Sequence, residues 1–193
     1  VCGQIICGIR HISAASSLEL AELAVRWKGR GVVGFDLAGA EKDYPAKDHI
    51  EACLYVLNNN INITIHAGES FGLPSIWEAL QICGAERLGH GVRIVDDITR
   101  EPDGSVHLGR LASYIRDRRV PLEMCPTSNV GTGAVSSIAE HPIKALHDLR
   151  WMPPLRYTDA QWEVLGAMVA ILPRAAGELQ LVFSERGEID FTG

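Results

Sequence analysis

Two kinds of segment take turns along the chain: short runs dominated by β-branched and apolar residues, and longer amphipathic runs that open with helix-start signals. The β-type runs fall at residues 4–9, 32–37, 62–66, 87–94 and 120–125, where side chains suited to a pleated, packed surface predominate. Between them, Ser16-Ser17-Leu18-Glu19 has the spacing of a capping box and leads into Leu20, Leu23, Ala24 and Trp27 at helical intervals. Ser75-Ile76-Trp77-Glu78 does the same for a helix reaching about Cys83, and residues 48–57, 106–115 and 138–149 complete the helical set. This alternation predicts parallel strands joined by crossover helices. The nearly continuous apolar strands predict burial on both faces, as in a doubly wound sheet or an α/β barrel.

Chemically active side chains recur at the carboxyl ends of these strands: Asp36 to Gly39, His66 to Glu69, His90, and Thr127 to Asn129. A closed barrel brings such positions to one mouth, whereas an open sheet spreads them along an edge, so the pattern predicts a barrel. The alternation stops near Arg150. Pro153-Pro154, a helical stretch at 159–171, Pro173 and a β-like stretch at 179–183 do not continue it. Residues 1–150 are therefore expected to form part of a barrel and residues 151–193 an atypical segment, within the same domain or as a diverged extension.

Composition narrows the function classes. With 47% apolar and 22% charged residues, the chain has the make-up of a globular protein. A net charge of −6 with no basic run gives no electrostatic basis for binding nucleic acid or an anionic membrane. The apolar run at 164–172 ends at Pro173 and is about half the ~20 residues that cross a bilayer. Five scattered cysteines without a Cys-x-x-Cys pair speak against a disulfide framework and a thiolate zinc finger; a reducing, cytoplasmic setting is expected.

His66-Ala67-Gly68-Glu69 is the sharpest local feature. A His ending a buried strand can offer a ring nitrogen to a metal, and a Gly two residues on allows a turn that swings Glu69 back over the same site, where a carboxyl can shuttle a proton. A core His with a capping Glu would also account for it. Arg87-Leu88-Gly89-His90-Gly91 supplies a second strand-end His between glycines, which suits either close approach of a ligand or a tight turn. Asp36-Leu37-Ala38-Gly39 offers a backbone edge to a flat ligand or only a turn glycine. Cys125-Pro126-Thr127-Ser128-Asn129 lines a pocket or merely caps the next helix. His11, His49, His107, His141 and His147 have no paired ligand at a useful spacing and read as structural or surface residues.

In that order, these four strand-end motifs, followed by Glu140-His141-Pro142, resemble the signature series of the adenosine deaminase family over about residues 1–150. The resemblance implies a metal-dependent (β/α)₈ barrel of TIM type that hydrolyses the 6-amino group of adenosine or deoxyadenosine, giving inosine or deoxyinosine and ammonia. It implies one Zn²⁺ with His66 as a ligand, Glu69 as the group that protonates the purine ring, His90 as the residue that orients or deprotonates the attacking water, and Gly39 as a backbone contact to the purine. The implied partner is a small purine nucleoside. Zinc would bring the pKa of its water to about 7, and a protonated Glu69 would neutralise charge pushed onto the ring as C6 is attacked.

The sequence also departs from that family. Its first barrel strand carries a His-x-His pair, and none occurs here. Its last strand carries an acidic pair after Thr; the nearest counterpart is Thr158-Asp159-Ala160, which makes Asp159 the candidate metal carboxylate while Ala160 replaces the second acid. Two protein ligands fall short of the three a catalytic zinc needs, so weak or absent metal binding is expected of this chain by itself. Set against ~250 residues for such a barrel, 193 residues without an initiator Met point to a barrel truncated at its N-terminus, with exposed strand edges. The alternatives are a non-catalytic barrel remnant that binds a nucleoside or a partner chain, and a deaminase of adenine or another aminopurine.

Overall fold

The computed structural model describes residues 2–149. Asp159 and the expected features at 153–154, 159–171 and 179–183 lie outside the described residues.

The elements run β1 (Gln4–Ile9), α1 (Ala14–Arg26), β2 (Val32–Ala38), a 3₁₀ turn (Ala46–His49), α2 (Ile50–Asn58), β3 (Asn62–Ala67), α3 (Leu73–Gln81), β4 (Arg87–His90) and a second 3₁₀ turn (Val92–Asp97). They continue with β5 (Ile98–Arg100), β6 (Val106–Leu108), α4 (Arg110–Arg118), β7 (Leu122–Glu123), α5 (Pro126–Gly131), a third 3₁₀ turn (Ile138–Glu140) and α6 (Ile143–Asp148). Five strands form one sheet in the order β1-β2-β3-β4-β7, every pair parallel. Sequential strands lying side by side with a helix in each of the first crossovers is the arrangement the alternation predicts. Among the described residues β1 and β7 each have one strand neighbour, so these five strands do not themselves close a ring.

The two faces of the sheet differ, which corrects the expectation of strands buried alike on both. One face carries Phe35, Leu37, Ile63, Ile65, Ala67 and Leu88, packed into one core with Ala21 and Ala24 of α1, Cys53 and Val56 of α2, and Ile76 and Ala79 of α3. Each large aliphatic or aromatic side chain removed from water there contributes about 1.5–3 kcal/mol. On the other face the parallel register aligns Cys7, Asp36, Thr64 and Arg87 in one row across four strands. These groups satisfy one another: Cys7 Sγ lies 3.7 Å from an Asp36 oxygen, while Arg87 Nε donates to Thr64 Oγ1 at 3.1 Å and pairs with Glu123 at 2.7 Å. Burial, followed by the Asp36 charge, pushes the Cys7 thiol up to about 11.

Several local expectations are displaced for identifiable reasons. The cap of α1 is Ser13, whose side chain accepts from Ser16 N–H at 3.0 Å; Ser16 is already inside the helix, and the buried Ser17 hydroxyl is engaged by His49 at 2.8 Å. α3 begins at Leu73 with Pro74 in its first turn, where no donor is needed. The run at 87–94 stops as a strand at His90, because His90 and Gly91 both take positive φ, 66° and 67°. The segment at 106–115 divides into β6, paired antiparallel with β5, and α4, whose start is capped from fourteen residues back: Asp97 Oδ2 accepts from Leu111 N–H at 2.9 Å and Ala112 N–H at 2.8 Å. Pro142 divides 138–149 into a 3₁₀ turn and α6. All five cysteines are free, and no helix among the described residues is long and apolar enough to cross a membrane.

Candidate active site

The last residues of β3 and β4 lie side by side, with His66 opposite Gly89 and Ala67 opposite His90. A Cβ at position 89 would stand 2.8 Å from His66 Cγ, so glycine there makes room for the His66 ring rather than for a turn. His66 Nδ1 lies 3.0 Å from Asp36 Oδ1, and this hydrogen bond is the main reason its pKa is raised. With the Nδ1 hydrogen given to the carboxylate, Nε2 keeps a lone pair free for a ligand, the tautomer a metal-binding imidazole requires.

Gly68 has φ +76°, and a Cβ there would press within 2.5 Å of Ile76. This left-handed turn carries Glu69 back over the strand ends, as the Gly spacing predicts. Its Oε1 comes to 3.3 Å from His90 Nδ1, and the His66 and His90 ring centroids are 5.2 Å apart, edge to face. His90 is buried, which lowers its pKa, and it keeps a left-handed backbone despite carrying a side chain. Such strain costs roughly 1–3 kcal/mol and tends to collect at functional positions.

The organising residue of the cluster is Asn129, in α5 and fully buried. Its amide orientation follows from one obligatory donor: the Ile143 N–H gives its hydrogen to His141 Nδ1 at 3.1 Å, so His141 donates through Nε2 to Asn129 Oδ1 at 2.9 Å. Asn129 Nδ2 therefore points its two hydrogens at Glu69 Oε1, 2.6 Å away, and at His90 Nδ1, 3.0 Å away. His90 accepts at Nδ1 and, being neutral, carries its own hydrogen on Nε2. The Ser128 hydroxyl also donates to Glu69 Oε1, at 3.1 Å. With two donors on Oε1, a proton carried by this carboxyl belongs on Oε2.

Of the residues singled out in the sequence, the structure thus brings Glu69, His90 and His66 together. Gly39 ends β2 one residue on, exposed, at φ +94° with the His11 ring against it, outside the hydrogen-bonded cluster. Sequence reasoning missed the parts of Asn129 and His141. Asn129 stood inside the Cys125–Asn129 motif, but His141 offered no spacing cue, since its partner is the Asn129 side chain. His49, by contrast, is structural as expected: it takes the Ser17 hydroxyl on Nδ1 and donates from Nε2 to the Arg10 carbonyl at 3.0 Å.

For a metal, the described residues fit in part. His66 is a prepared single donor, but no group of three or more His, Cys, Asp or Glu among them could hold an ion.

Strand-end imidazoles and a carboxyl gathered at the carboxyl edge of a parallel sheet with crossover helices occupy the place where α/β proteins carry their active sites. The family model described as adenosine deaminase matches residues 2–154, and the chain belongs to that family. It is 61% identical over 149 residues to adenosine deaminase 1 of Streptomyces coelicolor, covering 77% of this chain and 37% of that protein. To an adenosine deaminase of Mycobacterium sp. (strain KMS) it is 62% identical over 147 residues, 76% of this chain and 40% of the relative. Among solved structures, adenine deaminase from Arthrobacter aurescens superposes with a TM-score of 0.62 at 26% identity, over 75% of this chain and 41% of that one. N6-methyl-AMP deaminase from Arabidopsis thaliana gives 0.61 at 25% identity, over 77% and 40%. An amidohydrolase from Burkholderia with bound Zn shares the fold at 18% identity, with a TM-score of 0.62. The five parallel strands and their crossover helices correspond to part of the TIM-type α/β barrel of these structures. The chain spans about two fifths of the length of the curated relatives it matches.

Proposed function

We propose that this chain carries the proton-donating half of a zinc-dependent deaminase site that converts adenosine or deoxyadenosine to inosine or deoxyinosine and ammonia. The observation that carries the proposal is the hydrogen-bonded set Glu69–Asn129–His90 beside His66. Zinc, when bound, supplies a hydroxide at neutral pH. Glu69, with Oε1 occupied by Asn129 and Ser128, delivers a proton from Oε2 to the purine ring nitrogen as C6 becomes tetrahedral. His90, protonated on Nε2, donates a hydrogen bond to the attacking oxygen and orients it; this geometry favours orienting over deprotonating. Gly39, at the exposed end of β2, offers its backbone to the purine. His66 is the metal ligand from this region, and Asp159 is proposed as a second.

Residues 1–150 are assigned to the central part of the barrel and residues 151–193 to an atypical segment, within the same domain or as a diverged extension. The substrate is a small purine, and the free thiols favour a cytoplasmic setting. Ammonia release is to be measured with adenosine, deoxyadenosine and adenine, on this chain and on a longer chain that includes a His-x-His strand, both supplied with zinc. Turnover of the nucleosides by the longer chain is expected, and Glu69→Gln should lower kcat by about 10²–10⁴ while leaving zinc bound. Turnover of adenine alone would transfer the proposal to a nucleobase deaminase. No turnover of any purine by the longer chain would overturn it.

A further inference from the structure

Two buried charges bracket the loop that carries His66 and Glu69. Arg10, one residue past β1, is 3% exposed, and Glu41, three residues past β2, is 7% exposed. Arg10 donates through Nη2 to the carbonyl of His66 and through Nη1 to the carbonyl of Tyr44 at 3.2 Å. Glu41 accepts from four successive backbone N–H groups: from Gly68 on Oε1, and on Oε2 from Glu69 at 3.0 Å, Ser70 at 2.9 Å and Phe71 at 3.1 Å. The Ser70 hydroxyl adds a bond at 3.4 Å.

These amides lead into α3, whose cap position is Gly72 and which has no side-chain cap of its own. Buried N–H groups left unmet are costly, so the Glu41 carboxylate does for this loop what a cap does for a helix. Burial lowers the Arg10 pKa and the Glu41 charge opposes that shift. Every hydrogen bond between this pair and the 66–71 loop, apart from the Ser70 hydroxyl, goes to main chain.

We propose that Arg10 and Glu41 are a positioning pair: they fix the main chain from His66 to Phe71 between opposite charges and thereby hold the Glu69 carboxyl in register with Asn129 and His90. The catalytic consequence rests on the deaminase reading above, whereas the anchoring itself does not. Neither side chain touches the reacting atoms in this scheme, and both act through backbone.

Glu41→Gln replaces one accepting oxygen with an amide NH₂ that confronts the loop's N–H groups. Glu41→Asp keeps the charge but withdraws it by about 1.5 Å, one carbon–carbon bond. Both variants are made in the longer chain that includes a His-x-His strand and compared with that chain unaltered, each supplied with zinc, by amide hydrogen exchange and by steady-state kinetics on adenosine. Exchange at positions 68–71 is expected to rise at least about tenfold in both, with Ala21 and Ala24 of α1 unchanged. kcat is expected to fall about 10- to 100-fold with KM within about threefold. Unchanged exchange at 68–71, or an equal rise in α1, overturns the anchoring; a rise in KM with kcat preserved overturns its catalytic consequence. If the unaltered protein deaminates no purine, the exchange result still decides the anchoring, and only the deaminase reading has failed.

Discussion

The two halves of the described chain are built differently. From β1 to β4 the strands are four to seven residues long, each crossover holds a helix, and the elements follow local periodicity. From Val92 onward, apart from the nine-residue α4, the pieces are short: two 3₁₀ turns, a three-residue hairpin pair, a two-residue strand and two six-residue helices. Yet the second half governs the chemistry of the first. Asn129 and His141, both beyond β7, orient Glu69 and His90, which stand on the ends of β3 and β4. Regular structure supplies the positions of the reactive groups, and the irregular part determines their hydrogen bonding.

That contrast can be broken at three points. Asn129→Ala has the largest expected effect: Glu69, His90 and His141 each lose a hydrogen-bond partner, two of them buried, so stability should fall by about 2–3 kcal/mol, read from urea unfolding. Turnover should fall with it, by at least about tenfold. A variant with native stability and turnover would show that the second half does not organise the first. Asp97→Ala should cost less, about 1–2 kcal/mol, because α4 loses its two side-chain cap bonds; faster amide hydrogen exchange confined to α4 would sharpen the view that this half depends on distant caps. Ser13→Ala should cost the least, about 0.5–1 kcal/mol. Ser16→Ala, at the position the capping-box spacing favours, should be within about 0.5 kcal/mol of the parent, and the reverse order of the two serines would overturn the assignment of the cap.

Legibility follows the same division. β1 is readable to the residue and β2 and β3 to within one, because Val, Ile and Leu in tight runs are both good strand formers and the residues the core needs. The Gly68 turn and the return of Glu69 are readable as well, since a positive φ leaves its mark as glycine. The run at 87–94 is not, because the chain leaves the strand through His90, a residue that ordinarily avoids φ near +66°. Nor is the division of 106–115, where the helix start depends on Asp97 and on β5 pairing with β6. At the site, the motif residues could be named but not their connections: the Asn129–Glu69 bond spans sixty positions and the Asp36–His66 bond thirty.

The sequence by itself thus determined the strand–helix alternation, the strand ends that carry chemistry and the family they resemble, because hydrophobic period and backbone propensity are local properties. The tertiary structure decided which face of the sheet is polar, which tautomers His66, His90 and His141 adopt, and which carboxylate, Glu41, anchors the loop beneath Glu69. Those outcomes depend on where hydrogen-bond donors meet acceptors across strands and loops, and no spacing along the chain encodes such a meeting.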